Sequence, residues 1–247
     1  SDGYNSTSIC FDIRIDTGFS ATAEAYVSAD ANGKAELKVN ATTDLEYGPL
    51  EYEWSVWEDE EWKTLEGVTK DTYILENVTS MQMYRCFVSN QKESKNLYII
   101  AGPESEKDKY AFDFASAREL SENDENEVEI PVNRAKIYFQ FKPNRSGIWK
   151  IYSESEDDTK AYLYNLDQEY LEENDDDGEG RNFSLEYGFV KGKTYYLACG
   201  YYGSGTGSFI VKAEFVRVNK GDHNWDEGTI TQQPTCVDHG IMTYVCE

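Results

Sequence analysis

The sequence predicts an all-β protein of two tandem β-sandwiches with a short irregular C-terminal tail. Three observations predict it. Apolar residues recur at every second position in short runs, the spacing of half-buried strands. Those runs are bounded by Gly, Asn and Asp, which close turns. Aromatic residues make up 14% of the 247 residues, including 19 Tyr, enough to fill real cores despite 28% charged residues. The length suits two domains of ordinary size.

The chain divides into an N-terminal segment (1–18), a first sandwich (19–102), a second sandwich (103–218) and a tail (219–247). In the first sandwich Ala35, Leu37 and Val39 alternate with Glu36, Lys38 and Asn40. Tyr52, Trp54 and Val56 then alternate with Glu51, Glu53 and Ser55, and Thr72–Leu75 and Met83–Ser89 are further strands. The stretch Gly102–Lys107 reads as a linker. In the second sandwich Ile137, Phe139 and Phe141 alternate with Tyr138, Gln140 and Lys142, and a turn over Asn144–Gly147 leads into Ile148–Tyr152. Ala161–Tyr164, Phe183–Tyr187, Thr194–Gly200 and Ser208–Glu214 complete it. Helix formers cluster only in Ala111–Leu120, which is expected to be a helix or turn.

Leu50-Glu51-Tyr52-Glu53-Trp54, Gly67–Leu75 and Tyr84-Arg85-Cys86 resemble the C, E and F strands of bacterial immunoglobulin-like domains. The resemblance implies a Trp54 plug in the core. It departs from that pattern in the B strand, where Leu37 or Val39 replaces the cysteine, so Cys86 is expected to be a buried thiol. The second block resembles the pre-peptidase C-terminal domain, a jelly-roll-like sandwich appended to secreted bacterial proteins. The matching residues are Phe139–Pro143 with Ser146-Gly147, Ala161–Tyr164, Asn174–Gly178, Gly192–Leu197 and Gly205–Phe209. Domains of this kind bind collagen, carbohydrate or nothing known, so the resemblance bears on fold more than on ligand. The tail, with His223-Asn224-Trp225, Cys236 and Tyr244-Val245-Cys246, is similar to the start of a cysteine-containing repeat of surface proteins, cut short at Glu247.

A formal net charge of -24 repels phosphate backbones and anionic lipid heads, which disfavours nucleic acid and membrane surfaces as partners. No run approaches the roughly 20 apolar residues of a membrane span. The polar start at Ser1 fits a mature secreted chain. The acids concentrate in Glu58–Glu61, Glu154–Asp158 and Glu172–Glu179.

Catalysis has little to work with: both histidines, His223 and His239, lie in the tail, and no phosphate-binding glycine loop occurs. Glu172–Glu179 is the best small-ligand candidate. Its partial calcium-loop spacing fails at the twelfth position, Ser184, which excludes an EF-hand. A different calcium site could use Asp175, Asp176, Asp177 and Glu179 with Asp157 and Asp158; the alternative is a solvated acidic turn. In the tail, Cys236 and Cys246 could form a disulfide, or join His223 and a downstream cysteine around zinc. Trp57 and Trp62 flank the Glu58–Glu61 turn and form either a sugar- or protein-binding platform or a cross-strand pair. Tyr201 and Tyr202, beside a glycine-rich loop, carry the same two readings.

The expectation is a non-catalytic, monomeric cell-surface adhesion or interaction fragment of a secreted bacterial protein. Its partner would be a host or matrix protein or a glycan, met at loops of the second domain or at the Trp57/Trp62 hairpin. The alternative is a carbohydrate-binding region of a larger secreted enzyme.

Overall fold

The computed structural model describes residues 18–218, 229–232 and 241–243. It is built almost wholly of strands and divides into two compact units. The first runs to Ala101, apart from Thr79–Met83, which groups with the second; Gly102 onward forms the second.

The first unit contains β1 (Ser20–Ala23), β2 (Tyr26–Ala29), β3 (Ala35–Thr42), β4 (Glu51–Glu58), β5 (Glu61–Thr64), β6 (Thr72–Leu75) and β7 (Gln82–Ser89), and β8 (Ser94–Pro103) begins in it. Two sheets result, ordered β1-β3-β6 and β2-β8-β7-β4-β5. Period-two burial makes them a sandwich: Ala35, Leu37 and Val39 of β3 face Trp54, Cys86, Val88 and Ile99 in one core. Trp54 is fully buried, and its indole N–H donates to the Lys70 carbonyl at 2.8 Å, so its one polar group is satisfied. Cys86 stands opposite Trp54 in the β4–β7 register and is a free, buried thiol.

The expected linker is regular structure instead. β8 runs to Pro103, and a 3-10 helix follows over Glu104–Lys109.

The second unit contains β9 (Arg118–Glu119), β10 (Asn126–Ile130), β11 (Ile137–Phe141), β12 (Gly147–Glu154), β13 (Thr159–Tyr164), β14 (Tyr170–Asn174), β15 (Ser184–Phe189), β16 (Tyr195–Tyr201) and β17 (Gly207–Arg217). They form a four-stranded sheet, β10-β17-β12-β15, and a five-stranded sheet, β14-β13-β16-β11-β9. Ile137, Phe139, Leu163 and Leu197 of the larger sheet are buried, as are Val128, Trp149, Ile151 and Val211 of the smaller. Trp149 packs edge-on against Phe141 and Phe215, with centroids 5.2 and 5.4 Å away. Gly147, which opens β12 at φ 147°, lies against β17: a β-carbon there would stand 2.5 Å from the Arg217 carbonyl oxygen.

One expectation is narrowed and one corrected. Of helix or turn, Ala111–Leu120 takes the turn, at Asp113–Ser116, and its backbone on either side is committed to β11. The Tyr138 N–H donates to the Ala111 carbonyl, the Leu120 N–H donates to the Gln140 carbonyl, and β9 pairs in parallel with β11. The tail is not wholly irregular: β18 (Thr229–Gln232) and β19 (Ile241–Thr243) form an antiparallel pair. Cys236, Cys246, His223 and His239, with the disulfide and zinc readings they carry, lie outside the described residues.

Trp149→Ala should cost about 3–5 kcal/mol through the lost aromatic contacts and the cavity left behind. Denaturant unfolding of the full chain followed by circular dichroism measures it, and a change under about 1 kcal/mol contradicts this packing. Burial pushes the thiols of Cys86 and Cys199 up to about 12. Unfolded thiols ionise near pH 8.5–9 while the folded ones do not, so stability should fall as pH rises from about 9 toward about 12. At pH 8 the peptides carrying these two cysteines should stay unalkylated in native protein, as read by mass spectrometry; rapid native labelling of either refutes the burial.

Candidate functional site

The period that sends Ile137, Phe139, Ala161, Leu163 and Leu197 into the core sends their neighbours to the opposite face of the five-stranded sheet. Water-facing positions usually carry small polar or charged residues. Here they carry Tyr138 on β11, Tyr162 and Tyr164 on β13, and Tyr196 on β16.

Register assembles these residues into rows. Gln140 pairs with Tyr196, Tyr196 with Tyr164, and Tyr164 with Tyr170. In the next row Tyr138 and Tyr162 flank Ala198, whose methyl is fully buried although it points away from the core. In the third row Gly200 stands opposite Lys160, and Lys136 immediately precedes β11 on the same side. A β-carbon at Gly200 would meet the Ala135 carbonyl oxygen at 2.6 Å, so glycine is what lets the backbone before β11 come this close.

Phe114 lies over the middle of the face. Its ring makes edge-on contacts with Tyr138, Tyr164 and Tyr196, with centroids 4.9, 5.2 and 5.3 Å away. A tight turn holds it there: the Ser116 N–H donates to the Asp113 carboxylate at 2.8 Å, and the Asp113 N–H donates to the Ser116 hydroxyl at 3.2 Å. At the margins of the face Tyr170 and Tyr202 are 56% and 55% exposed.

The chemistry along the rows is mixed. Burial pushes the Tyr164 hydroxyl up to about 12 and raises that of Tyr138, so both stay protonated at physiological pH. Beyond Tyr162 the Lys136 ammonium sits 3.7 Å from that ring's centroid, and Lys160 lies 5.2 Å from Tyr162 and 5.6 Å from Tyr202. Lys160 is tied to Glu173 at 2.8 Å and lies 3.9 Å from Asp175.

The residues singled out in the sequence are placed as follows. Trp57 and Trp62 stand directly opposite each other on β4 and β5, with centroids 5.2 Å apart and rings edge-on. Trp57 is only 7% exposed. Asp59 and Glu60 both have positive φ, the two-residue turn that sets this register. Trp62 also packs on Tyr98 and under the Arg85 guanidinium, 4.8 Å from its centroid. Tyr201 packs on Phe209 and donates its hydroxyl to the Ser208 carbonyl, whereas Tyr202 projects beside Lys160.

The six acids Asp157, Asp158, Asp175, Asp176, Asp177 and Glu179 lie in and beside the loop between β14 and β15. Among the described residues no group of three or more His, Cys, Asp or Glu side chains is arranged to hold a metal ion. Other groups take up much of this charge. Arg181 approaches Asp158 at 3.3 Å, Lys160 draws Asp175, and the Asn174 amide donates to Asp177. Burial raises the Asp158 carboxyl, Arg181 opposes that, and Asp176 and Asp175 raise it further. The loop is anchored from below by a buried network: the Ser153 and Thr159 hydroxyls, 2.7 Å apart, both reach Asn182 Oδ1, and the Asn182 amide donates to the carbonyls of Ser155 and Glu179.

Sequence reasoning missed Phe114, Tyr138, Tyr162, Tyr164, Tyr196, Lys136 and Lys160 as a group. The available signal was aromatic residues on both phases of the same strands, as in Ile137-Tyr138-Phe139 and Ala161-Tyr162-Leu163-Tyr164.

No family model matches the chain, and no curated protein matches it. Among solved structures the chain is similar to the pre-peptidase C-terminal domain of a collagenase from Bacillus anthracis. Identity is 16%, over 39% of this chain and 93% of that one, at a TM-score of 0.34. It is also similar to tripeptidyl peptidase 2, at 9% identity over 79% of this chain and 20% of that one, with a TM-score of 0.25. Likenesses this loose carry no weight for the site, which rests on its own residues.

Proposed function

We propose that the chain is a non-catalytic, extracellular interaction module of a larger bacterial protein, and that it contacts a glycan or matrix protein through the tyrosine face of the second unit. The observation that carries this reading is the aromatic cluster itself. Phe114, Tyr138, Tyr162, Tyr164 and Tyr196 occupy the sheet face turned away from the core, with two lysines at its end. Tyrosine offers large rigid contact area at low entropic cost together with a hydroxyl, the combination enriched in binding surfaces. The motif resemblance of this block to pre-peptidase C-terminal domains supports a secreted setting.

An array of glycans and extracellular matrix proteins probed with the full chain tests the reading. At least one ligand should bind. Tyr162→Ala and Tyr164→Ala should each weaken it by about tenfold, on the order of 1.4 kcal/mol. Trp62→Ala should change affinity less than twofold. Binding that ignores both tyrosine substitutions, or no binding at all, contradicts it.

A further inference from the structure

Acids outnumber bases 47 to 23 in this chain, and Lys34, Lys63, Lys109, Lys160 and Lys212 each approach a carboxylate. Lys136 is half-buried, and among the described residues it makes no ion pair; its ammonium rests on the Tyr162 ring at 3.7 Å. Burial, and after it the Lys160 charge, lowers it to about 8, with Glu173 partly opposing them. A desolvated cation without a counter-ion is costly, and an anion brought to it would relieve that cost.

We propose that Lys136, supported by Lys160, binds the carboxylate of an acidic sugar whose rings lie along the tyrosine face. This inference rests on the reading of that face as the contact surface. The surroundings favour a sugar over a peptide. The backbones of β13 and β16 are paired on both sides, so this face offers no free strand edge to an extended polypeptide. What it offers is what an acidic oligosaccharide needs: rings for its apolar faces, the hydroxyls of Tyr138 and Tyr164 for its own hydroxyls, and one ammonium for its carboxylate. From Lys160 to Tyr164 the face extends about 13 Å along β13 at about 3.3 Å per residue, room for a short oligosaccharide. The acidic remainder of the surface opposes an anion at long range, an opposition screened beyond about 8 Å at physiological salt. The near acids Glu173 and Asp175 are paired with Lys160.

The test uses the full chain and calorimetric titration with a hexasaccharide of alternating glucuronate and N-acetylglucosamine, its carboxyl-reduced counterpart and a glutamate-rich peptide. The acidic hexasaccharide should bind at least tenfold tighter than the reduced one. Lys136→Met should remove that preference and leave the weaker binding of the reduced sugar in place. Affinity for the acidic sugar should fall as pH rises above about 8, where the free amine loses its proton, while that for the reduced sugar stays level. Equal affinity for the two sugars, an unaffected Lys136→Met, or preference for the peptide overturns the proposal. Loss of the reduced sugar's binding in Tyr164→Ala would still uphold the contact face. If neither sugar nor peptide binds the parent chain, the proposal fails, and the array then decides the fate of the face independently.

Discussion

Every strand of the larger sheet in the second unit is bound by one constraint: consecutive side chains must point to opposite sides. The core claims Ile137, Phe139, Ala161, Leu163 and Leu197, and that claim fixes where Tyr138, Tyr162, Tyr164 and Tyr196 go. A one-residue slip in any of these strands would bury hydroxyls and expose leucines, so the register is strongly specified. The tyrosine face is therefore held in place by the hydrophobic core beneath it. From the smaller sheet, Trp149 and Phe189 pack edge-on against Phe141 of the larger one.

Charge is arranged on the same frame. Lys160 joins the face to the acidic loop: its stem leaves β13 beside Tyr162, and its ammonium meets Glu173 on β14. The hydrogen bond to Glu173 raises the Lys160 ammonium, whereas burial lowers its neighbour Lys136. Both ammonium groups lie over the Tyr162 ring, but only Lys160 is also paired with acids. In the loop, Asn174 binds the Asp177 carboxylate, and Arg181 and Lys160 approach Asp158 and Asp175.

Much of the fold was legible in the sequence because period two is a local signal. Thr72–Leu75 and the strand around Ile137–Phe141 stand where alternation put them. The Trp57/Trp62 pairing was legible too, since a two-residue turn dictates register by itself. Ala111–Leu120 was not: its helix formers are overridden by hydrogen bonds to β11, a partner some twenty residues away whose edge the sequence does not mark as open. The tyrosine face was missed for a related reason. In a polar/apolar pattern Tyr138 and Tyr162 count as the polar phase, and only the pairing of β11, β16 and β13 shows them to be neighbours. Phe114 reaches the cluster from the segment read as either helix or turn, so its role could not emerge until that segment was placed.

The central claim is that the outward tyrosines of this sheet, rather than the tryptophan hairpin or the acidic loop, form the contact surface. Tyrosine-ring NMR of the full chain, with ring carbons labelled and a binding ligand titrated in, tests it most directly. The account predicts that Tyr138, Tyr162, Tyr164 and Tyr196 shift together with one binding curve, while the core tyrosines Tyr52, Tyr73 and Tyr84 of the first unit stay fixed. Shifts confined to Tyr98, beside Trp62, with the sheet tyrosines unmoved would contradict it.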